Sequence, residues 1–360
     1  MSEYTFSFRL RNWYLINKRE LPWRETVDPY LIWISEIILQ QTRVQQGLDY
    51  YNRFVFRFPD VRTLGAAPLE EVLKYWQGLG YYSRARNLHA AAKQVVEIYG
   101  GEFPSDHKQI LSLKGIGDYT AAAIASFAFK QPYAVLDGNV FRVLARIYGI
   151  DDAIDSGSGK KVFAELAREL LDPRHPDQHN QAIMEFGALW CVPVSPDCDS
   201  CIFREECIAR QQGRVSELPF KAGKTKVRDR WFNYFQIVSG DHTWIHRRTA
   251  KDIWSHLYEF PLIETDRSVG LEELMLLPAF KSLFPEEAIR QSDADFRFQL
   301  VMRDKKHILS HQRIHASFYK VMVPEGFSLS GDYITIPEAS IGAYAISRLT
   351  ELFLETEHSL

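Results

Sequence analysis

Apolar and polar positions follow two regimes along the chain: up to about residue 210 the apolar residues return at helical spacing, and beyond about residue 230 they alternate. In the first regime residues 4–17 predict an amphipathic helix, followed by the turn Leu21-Pro-Trp-Arg24. Residues 30–43 carry apolar side chains on nearly every face, which predicts a deeply buried helix. Gly78-Leu-Gly-Tyr-Tyr-Ser opens another. Segments 105–113 and 118–129 have helical signatures on either side of Gly115 and Gly117, predicting helix, tight hairpin, helix. A short apolar run, 133–136, passes through Asp137 into a helix over 140–148, and a further helix covers 178–190. Between 211 and 230 the periodicity lapses and Gly213, Pro219, Gly223 and, between Lys221 and Arg228, four Lys or Arg appear, marking a candidate interdomain linker. Beyond it, 231–238, 243–247, 257–261 and 316–323 read as strands, with helices near 271–277 and 341–355, the pattern of an α+β domain.

Length and charge set bounds on this picture. The 360 residues suffice for two domains with real cores, without low-complexity tracts or internal repeats. The most apolar stretches are too short to span a membrane, and no apolar core follows the charged N-terminus, so an intracellular, cytoplasmic protein is expected. The formal net charge of −3 argues against a protein that coats nucleic acid. Residues 1–228 hold 29 Lys and Arg against 27 Asp and Glu, whereas residues 229–360 hold 14 against 19, so the first part can face phosphates locally and the second is not globally basic.

Four features carry candidate chemistry. All four cysteines, Cys191, Cys198, Cys201 and Cys207, share one window with the spacing Cys-x6-Cys-x2-Cys-x5-Cys. Clustered cysteines without a signal peptide read as a metal site rather than as disulfides, and zinc usually takes two Cys-x2-Cys pairs where this chain has one. Gly115 and Gly117 leave the amides of the following helix bare, which suits a plain αα-turn and equally an anion site. Glu36 falls in the middle of the buried helix. There it is either a structural group bonded to a partner or a carboxyl that keeps its proton near neutral pH, as a general acid must. Asp137, at a helix start, has the position of an N-cap, and a capping carboxylate is also rigid and ionised.

Together these motifs resemble the helix-hairpin-helix DNA glycosylases of base excision repair, and within them the MutY-type adenine DNA glycosylases. Leu-Lys-Gly-Ile-Gly with the later Leu-Asp-Gly-Asn-Val is similar to the family's hairpin and its essential aspartate. Ser-Glu-x-x-Leu-Gln-Gln-Thr is similar to the segment bearing its catalytic glutamate, and the cysteine spacing to its [4Fe-4S] loop. The resemblance implies Glu36 as proton donor and Asp137 as stabilising carboxylate, with Tyr119 and Asn139 orienting Asp137 and the sugar. It places Trp23, Arg24 and Glu185 at the target-base pocket, Gln41 and Tyr81 as side chains filling the gap left by a flipped base, and Lys114, Gly115 and Gly117 at a phosphate. Arg84 and Arg86 are further candidate phosphate contacts, or a solvated helix face. Members that also cut the sugar-phosphate backbone carry a lysine where Tyr119 stands, so a monofunctional enzyme is expected. Lys114 departs from the family, which usually has proline there.

The second regime resembles the Nudix-like C-terminal domain of the same family, through Trp244-Ile-His-Arg-Arg and Ile253-Trp-Ser-His-Leu-Tyr-Glu-Phe-Pro. A Nudix hydrolase needs Arg-Glu-x-x-Glu-Glu, which this chain lacks, so a reading domain is implied rather than a second enzyme. Leu309, Ser310 and His311 stand where the family has Phe-Ser-His against 8-oxoguanine, with leucine in place of phenylalanine. The expectation is therefore a multidomain protein: an all-α glycosylase domain over 1–210 with an iron–sulfur loop at 191–207, a linker over 211–230, and an α+β Nudix-like domain over 231–360. Its expected partner is double-stranded DNA containing adenine opposite 8-oxoguanine or guanine, bound by a monomer. An endonuclease III-like enzyme for oxidised pyrimidines is disfavoured by Tyr119 and the extra domain, and a catalytically silent repair adaptor by the presence of both carboxylates.

Overall fold

A computed structural model describes residues 5–223, 227–286 and 296–357. Its elements run α1 (Phe6–Asn17), α2 (Pro29–Ile38), α3 (Val44–Arg57), α4 (Val61–Ala66), α5 (Leu69–Trp76), α6 (Ser83–Tyr99), α7 (His107–Ser112), α8 (Asp118–Phe129), α9 (Gly138–Tyr148), α10 (Gly157–Leu170), α11 (Pro176–Leu189) and α12 (Ile208–Gln211). There follow β1 (Arg228–Ser239), β2 (His242–Arg247), β3 (Tyr258–Glu259), β4 (Leu262–Thr265), α13 (Leu271–Leu276), α14 (Pro278–Leu283), β5 (Arg297–Ile308), β6 (Gln312–Met322), β7 (Tyr333–Pro337) and α15 (Arg348–Glu357). The chain forms two compact units, Met1–Ala67 with Asn87–Lys224, and Pro68–Arg86 with Thr225–Leu360.

The first unit is helical, and α2 lies at its centre. Asp28 caps α2 by accepting from the Tyr30 amide at 2.8 Å, and Pro29 at the first turn costs no hydrogen bond. Ile32, Trp33, Ile34 and Ile38 of α2 are buried, and α2 packs against α8, whose run of alanines lets two helices approach closely. The helix is shorter than the apolar pattern suggests. It stops at Leu39 because Gln41 takes φ +56, a left-handed conformation no helix interior admits, and α3 begins at Val44. The expected linker is largely fixed to this unit: Phe220 accepts from the Ile154 amide, and the Ala222 and Gly223 amides each donate to Asp155 at 2.9 Å. Residues 224–226 of that linker lie outside the described residues, and β1 already starts at Arg228.

The second unit is a sheet in the order β3-β2-β1-β6-β5, with β4 on β1 and β7 on β2. β1 and β6 are parallel, and the remaining ladders are antiparallel. β1 is buried on both faces, so simple alternation gives way to a continuous buried run. Phe235 and Ile237 pack on the α13–α14 side with Phe280 and Phe284, while Tyr234 stacks on Phe318, which stacks in turn on Phe353 of α15. Segment 68–86 belongs to this unit: the Lys74 ammonium donates to the Tyr344 carbonyl at 3.1 Å, and the Ile346 amide to Gln77 at 3.3 Å. Arg84 turns inward there, donating to the carbonyls of Leu79 and Gly80, and Arg86 donates to the Ser255 carbonyl at 2.8 Å, so neither is a free surface cation.

Candidate active site

The start of α8, the start of α9, α11 and the end of α2 enclose a cleft of about 950 Å³ in the first unit. Trp23, Arg24, Glu36, Gln41, Gly117, Tyr119, Asp137, Asn139 and Glu185 all line it, residues drawn from separate stretches of sequence. Glu36 is only 7% exposed. Burial pushes its carboxyl up to about 7, the Tyr119 hydroxyl and Arg24 pull it down, and the Asp137 charge pushes it further up. The Tyr119 hydroxyl, expected to orient Asp137, instead donates to Glu36 Oε2 at 2.5 Å, and it lies 3.9 Å from Met184 Sδ.

Asp137 caps α9, accepting from the Val140 amide at 2.8 Å on one oxygen and from Asn139 Nδ2 at 2.8 Å on the other. Burial raises its carboxyl, and these hydrogen bonds with the Arg142 charge oppose the rise. Arg142 donates to Asn139 Oδ1 at 2.8 Å, to the Gly187 carbonyl at 2.6 Å and to the Cys191 carbonyl at 2.8 Å. The orientation of Asn139 is therefore held from the start of the cysteine loop.

Glu185 lines the cleft with both oxygens engaged. Arg24 grips it through two bonds of 2.8 and 2.6 Å, and Arg19 adds bonds from its backbone and guanidinium at 2.9, 2.9 and 2.5 Å. Burial would raise its carboxyl, but the two arginines outweigh that and hold it at about 2. A fully ion-paired Glu185 shapes the wall of the cleft and has no free oxygen to offer a base. Trp23 is buried edge-on to Tyr51, with ring centroids 5.1 Å apart.

At the hairpin, Gly115 adopts φ +77, and a Cβ there would lie 2.5 Å from the Asn87 side chain, so only glycine fits. Gly117 caps α8 without a side-chain bond, in open space, and the exposed Lys114 donates its amide to Gln94 at 2.8 Å. Gln41 is exposed with a left-handed backbone; Tyr81, in the second unit, is 45% exposed with φ +47. Strained backbone at two exposed polar or aromatic residues is a recurrent mark of functional positions.

Residues 34–172 match the family of HhH-GPD superfamily base excision DNA repair proteins, and residues 233–356 match the NUDIX domain. The adenine DNA glycosylase of Buchnera aphidicola from Schizaphis graminum is 38% identical over 269 residues, 74% of this chain and 77% of that protein. The enzyme of the same name from Rattus norvegicus is 44% identical over 226 residues, 59% of this chain and 44% of that protein. The chain belongs to the adenine DNA glycosylase family. Among solved structures, a thermostable thymine-DNA glycosylase aligns with TM-score 0.53 at 31% identity, over 57% of this chain and 95% of that one. A trapped endonuclease III–DNA covalent intermediate aligns with TM-score 0.51 at 22% identity, over 57% of this chain and 94% of that one, a likeness of fold.

For a member of the adenine DNA glycosylase family the cysteine loop is the natural seat of an iron–sulfur cluster, and its residues fit one. Among the described residues no three Cys, His, Asp or Glu side chains are grouped to hold a single metal ion. All four thiols nevertheless line one small cavity, together with Arg146, Arg204 and Arg210. Trp190, on the same wall, has a buried indole N–H with no acceptor among the described residues. Arg146 Nη1 lies 3.5 Å from Cys191 Sγ, and the Phe203 amide donates to Cys201 Sγ at 3.4 Å. Thiols spread around a cavity, ringed by cations and N–H donors, suit a multi-atom anionic cluster better than a mononuclear ion, which draws its ligands to about 2.3 Å from one point.

In the second unit Leu309, Ser310 and His311 form the tip between β5 and β6. The Leu309 amide donates to the Gln312 carbonyl at 2.8 Å, and Ser310 Oγ lies 3.0 Å from His311 Nδ1. Sequence reasoning missed Arg19 and Gln181 in the cleft. Gln181 accepts from the Tyr14 hydroxyl, which leaves its amide N–H groups for the cleft it lines. Nothing in the local pattern distinguishes either from a surface residue, and only the fold brings them in.

Proposed function

We propose that this chain removes adenine mispaired with 8-oxoguanine or guanine from double-stranded DNA, hydrolysing the N-glycosidic bond and leaving an abasic site with the strand intact. The observation that carries the reading is Glu36, a buried carboxyl titrating at about 7 inside the cleft that also holds Asp137. Below that pH Glu36 keeps its proton and donates it to N7 of the flipped purine, so the base leaves neutral. Asp137, held by the Val140 amide and Asn139, presents negative charge to the sugar as positive charge develops at C1′. Water adds at C1′, and its proton passes to the cleft carboxylates. Tyr119 supplies a hydroxyl that orients Glu36, and a phenol in that place offers no amine for a Schiff base.

Gln41 and Tyr81 fill the gap in the base stack, Gly115, Gly117 and Lys114 meet a phosphate, and Ser310 and His311, beside Leu309, read 8-oxoguanine. Cys191, Cys198, Cys201 and Cys207 hold a [4Fe-4S] cluster, which when bound cross-links the loop that follows α11. The chain acts as an intracellular monomer on the bacterial nucleoid; among the described residues no helix is long and apolar enough to cross a membrane.

The test is single-turnover base release from duplexes carrying A opposite 8-oxoguanine, A opposite G and an oxidised pyrimidine, each scored with and without alkali. Adenine release with breaks only after alkali is expected. Breaks without alkali, or release only of the pyrimidine, would replace this reading with an endonuclease III-like one, and no release with retained binding would leave a silent adaptor.

A further inference from the structure

We propose that His315 is a positioning residue that sets the aim of the Leu309-Ser310-His311 tip by locking β5 to β1, an inference that rests on reading that tip as the 8-oxoguanine sensor. Among the described residues β5 is an edge strand, and its pairing with β6 slips at Leu300/Met302 and again at Met302/Lys305. Within the slipped stretch Asp304 takes φ +46, uncommon for any residue but glycine. A bulge of this kind bends the strand and re-aims what lies beyond it, here the four residues leading to the tip. Among the described residues no strand pairs with the outer side of β5 to fix such a bend, so its geometry depends on what grips Asp304.

One ring does so from β6. His315 Nδ1 lies 2.9 Å from Asp304 Oδ1, and Nε2 lies 2.8 Å from Asp229 Oδ1 on β1. The ring stacks on Trp231 with centroids 5.0 Å apart at 15°, and its side chain is 11% exposed. Arg313 Nη1 reaches the same Asp229 oxygen at 3.3 Å, and the Asp304 amide donates to Ser317 Oγ at 3.3 Å. The parallel ladder sets Trp231 opposite His315, and the Arg228 amide donates to the His311 carbonyl at 3.1 Å. β1 thus holds the tip directly and the bulge through His315. An ionised carboxylate only accepts, so both ring contacts are hydrogen bonds when both ring nitrogens carry hydrogen. A histidine that merely fills space needs neither carboxylate.

The experiment compares single-turnover adenine release opposite 8-oxoguanine and opposite guanine. His315→Ala should lower the preference for 8-oxoguanine about tenfold and leave the rate opposite guanine unchanged, which also shows that the variant is folded. His315→Gln alone should fail likewise, because its carbonyl or its amide faces the wrong partner. His315→Gln combined with Asp304→Asn should recover most of the preference: the glutamine carbonyl accepts from the introduced asparagine amide while its own amide donates to Asp229, a rescue that space-filling does not produce. Preference lost with His311→Ala but kept with His315→Ala, or no recovery in the double variant, overturns the lock alone. Preference kept with His311→Ala removes the tip as sensor, and the lock with it.

Discussion

Replacing Glu36 by glutamine separates catalysis from stability. The side chain keeps its shape, and its carbonyl still accepts from the Tyr119 hydroxyl. What disappears is a carboxyl raised from 4.5 to about 7 by burial. A tenfold change in proton affinity is worth about 1.4 kcal/mol, so ionised Glu36 costs the fold on the order of 3 kcal/mol. The sign follows from proton counts. Between pH 4.5 and 7 the unfolded chain has released this proton and the folded chain retains it, so stability attributable to Glu36 falls as pH rises and levels off above 7. Glu36→Gln should therefore match the wild type below pH 4.5 and exceed it increasingly up to pH 7, with a plateau of about 3 kcal/mol, while base release is abolished and duplex binding kept. Denaturant unfolding at pH 4, 6 and 8 reads the first effect, and single-turnover assays the second. A variant no more stable than wild type at pH 8 would show that Glu36 is not held protonated by its surroundings, and the general-acid argument would go with it.

Tyr119→Phe removes a donor that holds the Glu36 carboxyl down, so the alkaline limb of base release should move to higher pH; a limb that stays or moves down refutes the assigned coupling. Gly115→Ala forces a Cβ into Asn87 at positive φ and should cost about 1–3 kcal/mol with weaker DNA binding, whereas Gly117→Ala, in open space, should be nearly silent in thermal melts. Arg24→Met removes two charged hydrogen bonds from the buried Glu185, which keeps Arg19, and should destabilise the first unit by about 1.5–3 kcal/mol, read by chemical unfolding; a change below about 1 kcal/mol would make the pair an ordinary surface bridge. The purified chain should carry about four iron atoms and four labile sulfides, and Cys201→Ala should lose them; an iron-free wild type sinks the cluster.

Short-range pattern determined the elements and their punctuation. The apolar density of residues 30–38, the glycines of the hairpin, the Asp137 cap and the change of periodicity near 230 follow from local sterics and hydrogen bonding, and each is legible in its own stretch. The same logic missed the end of α2, because the left-handed backbone at Gln41 carries no glycine to announce it. Only the tertiary structure decided which charges meet. Glu185 looks like a free helix-face carboxylate until Arg19 and Arg24 arrive from more than 160 residues away. Residues 68–86 look like one more helix of the first unit until Gln77 and Lys74 find partners near residue 345. The titration of Glu36 likewise depends on how much water the fold removes, and the bridge at His315 on the register of three strands. Desolvation and long-range pairing are properties of packing, which a period of 2 or 3.6 along the chain does not encode.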